Sequence, residues 1–292
     1  MKLGLPEALI GLLAALGADA PELSAAVAAL ASGARDVGVG VLLGSNLFNL
    51  AALLGFSALV VGGIRVRRQP LILDSAAGLS LLLLSAGVVG GGLPPAPALA
   101  VAIVFFGLYV VALAGRLPAV RAVFLPLQAE VAHDPERDLP PATHSWAPVW
   151  LLPPAVAGVV LGSLLMVGAA LRLAPSWHLS GWLLGSVLLA GLTSLPNLYV
   201  ALHFARSGRG TALMSAATNS NSLNLLGGLL VPAVVLGAAA ARTGLLDMTW
   251  LLALTALAVA IPLMRRGVGR AGGALIVAAY LAFVATGLAG GR

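Results

Sequence analysis

The chain has 292 residues, 60% of them hydrophobic and only 9% charged. A soluble domain carries about 25% charged residues, so the composition is that of an integral membrane protein in a lipid bilayer. The excess of 16 basic over 10 acidic residues does not signal nucleic acid, because the bases sit in short loops and form no aromatic-interleaved patch. With no cysteine, disulfides, thiolate metal sites and cysteine nucleophiles are excluded.

A spanning helix needs about 20 mostly apolar residues. Nine segments qualify in chain order: 6–32, 37–62, 70–91, 96–115, 149–171, 179–206, 210–238, 246–264 and 270–289. The runs are long and rich in Leu and Ala, so an all-α bundle is expected and strands are not. Lys2, an apolar run and Ala18-Asp19-Ala20 imitate a signal peptide. The helix reading is preferred, because Pro21 would follow the cut and a related segment recurs in mid-chain. Trp146, Trp150, Trp177, Trp182 and Trp250 fall near segment ends, where an aromatic belt would place them.

Nine spans put the termini on opposite sides. Twelve basic residues then share the N-terminal side: Lys2, Arg65, Arg67, Arg68, Arg116, Arg121, Arg137, Arg206, Arg209, Arg265, Arg266 and Arg270. Arg35, Arg172, Arg242 and Arg292 lie opposite. The positive-inside rule places the N-terminus and the 116–148 loop in the cytoplasm and the C-terminus outside; a prokaryotic plasma membrane is the expected location only by the family resemblance given below. Three parts result: a first half (1–115, four helices), a cytoplasmic linker (116–148) and a second half (149–292, five helices). His133, Asp134, Glu136, Asp138 and His144 could suggest a metal site in the linker, but a solvated Pro-rich connection is the simpler reading.

The strongest signal is a repeat at a fixed offset of 175 residues. "ADAPELSAAVAALASG" (18–33) aligns with "TSLPNLYVALHFARSG" (193–208), placing Pro21 on Pro196 and Ser32-Gly33 on Ser207-Gly208. At the same offset "GSNLFNL" (44–50) falls on "NSNSLNL" (219–225), with Ser45-Asn46 on Ser220-Asn221 and Asn49 on Asn224. The copies are five spans apart, so they cross the membrane in opposite senses. Inverted repeats with interrupted helices at matching places point to a transporter, its site near the midplane where the repeats meet.

The residue types agree. A proline inside a helix frees a carbonyl, which in lipid needs a partner. Asp19 and Glu22 share a helix face, as do Ser45 with Asn49, Thr193 with Asn197, and Ser220 with Asn224. Oxygen-only donors suit hard cations such as Na+ or Ca2+. Asn and Ser also serve as packing glue between membrane helices, whereas intramembrane carboxylates are functional by default. His178 and His203 receive no role.

These motifs resemble those of the calcium/cation antiporter superfamily, the sodium/calcium exchangers and their prokaryotic relatives. "GLTSLPN" (191–197) and "GSNLFN" (44–49) are close to its α-repeat patterns; "GADAPE" (17–22) and "NSNSLN" (219–224) are weaker matches. The resemblance covers essentially the whole chain. It implies a ten-helix bundle, four central cation sites and alternating access driven by a sliding helix pair. It implies ligand roles for Glu22, Ser45, Asn49, Thr193, Ser194, Asn197, Ser220 and Asn224. Asp19 stands where the family usually has a hydroxyl, and Asn197 and Asn224 stand where acids are usual. Measured against the family, the chain starts inside the second helix.

At most two negative charges, Asp19 and Glu22, are therefore available, and no Lys or Arg lies mid-span to pair with them. Together they could neutralise one Ca2+; without a cation, burial favours a shared proton. The expected activity is secondary-active cation antiport, with Ca2+ the default cargo by resemblance and Na+ or H+ the counter-ion. No cofactor is expected. A monovalent-cation/H+ antiporter on the same fold, or a transport-inactive sensing or partner homologue, are the alternatives. An intramembrane aspartyl protease fits poorly, since among the aspartates only Asp19 is placed deep in the core.

Overall fold

The computed structural model describes residues 17–113, 147–237 and 244–290. Nearly all of the expected linker, including its His and Asp residues, lies outside the described residues, as does the start of the first span.

The helices follow the apolar runs. Helix α1 (Ala20–Ala31) is followed by α2 (Arg35–Phe48), which passes through a π-helical stretch (Asn49–Phe56) into α3 (Ser57–Val61). Then come α4 (Arg68–Val89), α5 (Pro95–Leu113) and α6 (Ala147–Leu173). A broken element follows: α7 (Gly181–Leu183), a π stretch (Leu184–Leu189), α8 (Ala190–Thr193) and α9 (Leu195–Arg206). Helix α10 (Gly210–Leu223) continues through a π stretch (Asn224–Leu230) into α11 (Val231–Val235). Helices α12 (Gly244–Arg265) and α13 (Arg270–Ala289) close the bundle. Among the described residues six helices are long and apolar enough to cross a membrane, and a seventh is the pair Gly181–Thr193 and Leu195–Arg206, bent by 47°. The nine expected spans are consistent with this arrangement.

The 175-residue offset is written in the backbone. Asp19 and Ser194 each interrupt a helix and start the next, with φ/ψ of −84°/−7° and −87°/−1°. Pro21 and Pro196 sit in the first turn of the helices that follow. Neither proline has an N–H to return to the carbonyl four residues back, which is why the helix breaks there. The π stretches begin at Asn49 and Asn224, again 175 apart, and the helix after each break is followed by a left-handed glycine, Gly33 and Gly208.

Packing is closest where α2 crosses the 184–189 stretch. A Cβ on Gly44 would lie 2.2 Å from the Ser186 carbonyl oxygen, and one on Gly185 would lie 2.4 Å from that of Val37. Only glycine lets two backbones meet at this distance. Helix α6 lies at the periphery: it packs mainly on α1 and is otherwise largely exposed.

Two expectations need correction. A short antiparallel ribbon exists, β1 (Gly63–Arg65) against β2 (Gly267–Gly269), with Ile64 opposite Val268. Three-residue strands between helices are too short to show alternation. Trp182 is also not part of an interfacial belt. It is 2% exposed, fills the notch over Gly287 and donates from Nε1 to Asp247 Oδ2 at 2.9 Å.

Candidate cation site

The two helix breaks bring the repeats face to face. Asp19 and Glu22 are fully buried, and among the described residues their hydrogen-bond partners are neutral side chains of the second repeat. Ser194 donates to Glu22 Oε1 at 2.5 Å. Asn197 Nδ2 lies 2.9 Å from Asp19 Oδ1 and 3.2 Å from Glu22 Oε1. Ser220 donates to Asp19 Oδ1 at 2.6 Å, and Asn224 Nδ2 to Glu22 Oε2 at 2.6 Å. Both charges thus come from α1 and its entry, and the donors around them come from the other half.

The first repeat's polar turn completes the cluster. Asn49 donates to Ser220 Oγ at 2.9 Å. The hydroxyls of Ser45 and Thr193 turn to their own helices, donating to the Val41 carbonyl and to the Leu189 carbonyl (2.9 Å) respectively. Each keeps its oxygen lone pairs but contributes no hydrogen bond to the carboxylates.

Two residues that the repeat alignment paired, but that were not assigned to the site, belong to this network. Asn224 Nδ2 also reaches Asn46 Oδ1 at 3.0 Å, and Asn49 Nδ2 reaches Asn221 Oδ1 at 3.4 Å. The central Asn of each S-N motif was the available signal. Asp19 is also not alone among deep aspartates: Asp74 and Asp247 are 2% and 1% exposed. Both lie near span ends in the sequence, where an acid reads as interfacial.

Among the described residues, three buried oxygens of the cluster have no hydrogen-bond partner: Asp19 Oδ2, Asn49 Oδ1 and Asn224 Oδ1. Buried oxygens are normally satisfied. Oxygens without donors, next to carboxylates without basic partners, form an acceptor-rich centre suited to a hard cation.

Residues 1–117 and 148–288 fit the family model described as sodium/calcium exchanger protein. The chain belongs to the sodium/calcium exchanger family. It is 28% identical over 293 residues to a putative antiporter CaxA of Alkalimonas amylolytica, covering 97% of this chain and 88% of that one. Its fold is similar to that of the H+/Ca2+ exchanger CAX (TM-score 0.67, 17% identity, 95% of this chain and 72% of that one). It is also similar to the sodium-calcium exchanger NCX_Mj (TM-score 0.64, 22% identity, 96% and 87%) and to YfkE (0.65, 19%, 95% and 83%). This exchanger-family chain is thus a multi-pass integral membrane protein of the cation-antiporter type, and its family is one of transporters.

Proposed function

We propose that the protein exchanges a hard metal cation, Ca2+ by default, against Na+ or H+ by alternating access. The cargo is held by Asp19, Glu22, Ser45, Asn49, Thr193, Ser194, Asn197, Ser220 and Asn224. The observation that carries this is the buried Asp19–Glu22 pair, surrounded by neutral donors and three partnerless oxygens. A cation entering there takes up those oxygens and draws the serine oxygens inward; without it, a proton relieves the repulsion of the pair. Helix α6 packs mainly on α1 and is otherwise largely exposed, which supports movement of this pair against the rest of the bundle. The Arg-rich side, with the linker, is read as cytoplasmic and the membrane as the plasma membrane.

A second reading follows from Asn197 and Asn224. With no carboxylate from the second repeat, the site carries at most two charges, which suits a Na+/H+ antiporter on the same fold.

The test is uptake of radiolabelled Ca2+ and Na+ into liposomes under imposed Na+ or pH gradients. Ca2+ flux that disappears in Glu22→Gln is expected. Flux of Na+ alone selects the second reading. No flux of either cation by folded protein overturns both and leaves a sensing or partner role.

A further inference from the structure

A second polar cluster lies outside the candidate cation site. Asp74 is six residues into α4, about 9 Å along the helix from Arg68. The backbone N–H of Arg67 donates to Thr211 Oγ1 at 3.1 Å, so α4 and α10 start together on the Arg-rich face. Further in, Asp74 meets Ser215 of α10 and Tyr109 of α5, and Tyr109 meets Asn219 of α10. The next residue of α10 is Ser220. The cluster therefore stands between the Arg-rich face and the central carboxylates.

With the Asn219 amide oxygen toward Tyr109, as it is placed here, the hydrogens in this cluster do not add up for an ionised Asp74. Tyr109 Oη lies 2.7 Å from Asp74 Oδ1 and 2.8 Å from Asn219 Oδ1, yet a phenol has one hydrogen. Ser215 supplies a hydrogen to Asp74 Oδ2. Three short oxygen–oxygen contacts thus share two hydrogens, and one positive charge is missing. A metal ion does not fit, because ligand oxygens at about 2.3–2.6 Å from Ca2+ are pushed beyond about 3 Å from one another. Separations of 2.7 and 2.8 Å are hydrogen-bond lengths. No basic side chain supplies the charge among the described residues: α10 and α11 carry no titratable group, and α5 carries only Tyr109. Helix α12 carries Asp247, bonded to Trp182, and Arg265 at its exposed end.

We propose that Asp74 is a proton-binding site of this protein, separate from the Asp19–Glu22 pair. The neutral acid donates from Oδ1 to Tyr109 Oη, Tyr109 donates to Asn219 Oδ1, and Ser215 donates to Oδ2. When the proton is released to bulk water, the carboxylate takes the Tyr109 hydrogen for itself. Asn219 Oδ1 then loses its donor, directly beside Ser220. Proton occupancy at Asp74 is in this way felt by the helix that carries Ser220 and leads directly into Asn224. The proton site stands on its own geometry; its part in exchange rests on the transport reading above.

Infrared difference spectroscopy on the reconstituted full chain tests this. At neutral pH the expected spectrum contains a protonated-carboxyl C=O band that survives in an Asp19→Asn/Glu22→Gln variant and is lost in Asp74→Asn. Tyr109→Phe keeps the acid but removes its acceptor, so the same band moves to higher frequency. That variant serves where Asp74→Asn does not fold. A spectrum unchanged by Asp74→Asn and by Tyr109→Phe overturns the proposal: Asn219 is then turned with its amide nitrogen toward Tyr109, and Asp74 is an ionised acceptor of two hydroxyls. A chain that moves no cation but shows the expected band loses the transport reading and keeps the proton site.

Discussion

Asn46 and Asn221 clasp each other through the pseudo-twofold of the repeats: the Asn46 amide donates to the Asn221 backbone carbonyl at 3.3 Å, and the Asn221 amide to the Asn46 carbonyl at 3.1 Å. The two residues are 175 positions apart, so each is the other's counterpart. Removing either amide takes one hydrogen bond from a buried carbonyl that keeps its intrahelical donor, at a cost of about 0.5–1.5 kcal/mol. Asn46→Ala and Asn221→Ala are each expected to lower the thermal unfolding midpoint in detergent. The double variant should cost less than the sum, since both act on one clasp. A strictly additive cycle would show two independent contacts.

Asp19→Ser returns a hydroxyl to the position where the family has one. It removes the acceptor of Asn197 and Ser220 and halves the site's charge. Ca2+ binding followed by calorimetry should weaken at least tenfold, a loss of about 1.4 kcal/mol or more. Wild-type affinity in this variant would show that Asp19 is not a ligand.

Asn197→Glu places a third carboxylate where the amide now sits 2.9 Å from Asp19 and 3.2 Å from Glu22. Like charges this close repel strongly in a buried site. The cation-free protein should melt earlier than wild type, while added Ca2+ should raise its midpoint by more than it raises that of wild type. A Ca2+ response equal to that of wild type would mean that residue 197 does not face the cargo.

Cation binding should weaken as the pH is lowered, because cation and proton compete for the same pair of carboxylates. The apparent Kd for Ca2+ is expected to rise on acidification in wild type. In Glu22→Gln the residual binding should depend less on pH. A pH-independent Kd in wild type would sink the competition.

Gly44→Ala tests the backbone contact. Its new methyl would meet the Ser186 carbonyl at 2.2 Å, and overpacking of this kind costs about 1–3 kcal/mol. Gly158→Ala, which meets nothing within 4 Å, is the control and should leave the midpoint unchanged. Equal stability of the two variants would show that α2 can shift freely.

Much of this architecture was legible because the repeat carries its own register. Pro21 and Pro196 mark the breaks without any tertiary information, whereas the π stretches that begin at Asn49 and Asn224 carry no such local signal. The direction of a hydroxyl was not legible. Ser45 and Thr193 have the spacing of site residues, yet a serine or threonine in a helix can satisfy itself on its own preceding turn. Asp74 was missed for a related reason. Six residues from the start of a span, it reads as an interfacial acid until α5 and α10 are seen to cover it. The ribbon escaped because Gly63–Arg65 and Gly267–Gly269 pair across about two hundred residues of chain, beyond any local pattern.

Both acids of the central cluster sit one helical turn apart on a single rigid piece, at Asp19 and Glu22, whereas Ser194, Asn197, Ser220 and Asn224 are carried by the other half. On the alternating-access reading proposed above, a movement of α1 relative to the site residues of the second half conserves the spacing of the two charges and exchanges only their neutral coordination. Work against electrostatic attraction between the halves is therefore small while the cargo is bound. On that reading the proposed binding centre is a charged passenger seat fixed to one half of the molecule, with the other half as its removable cover.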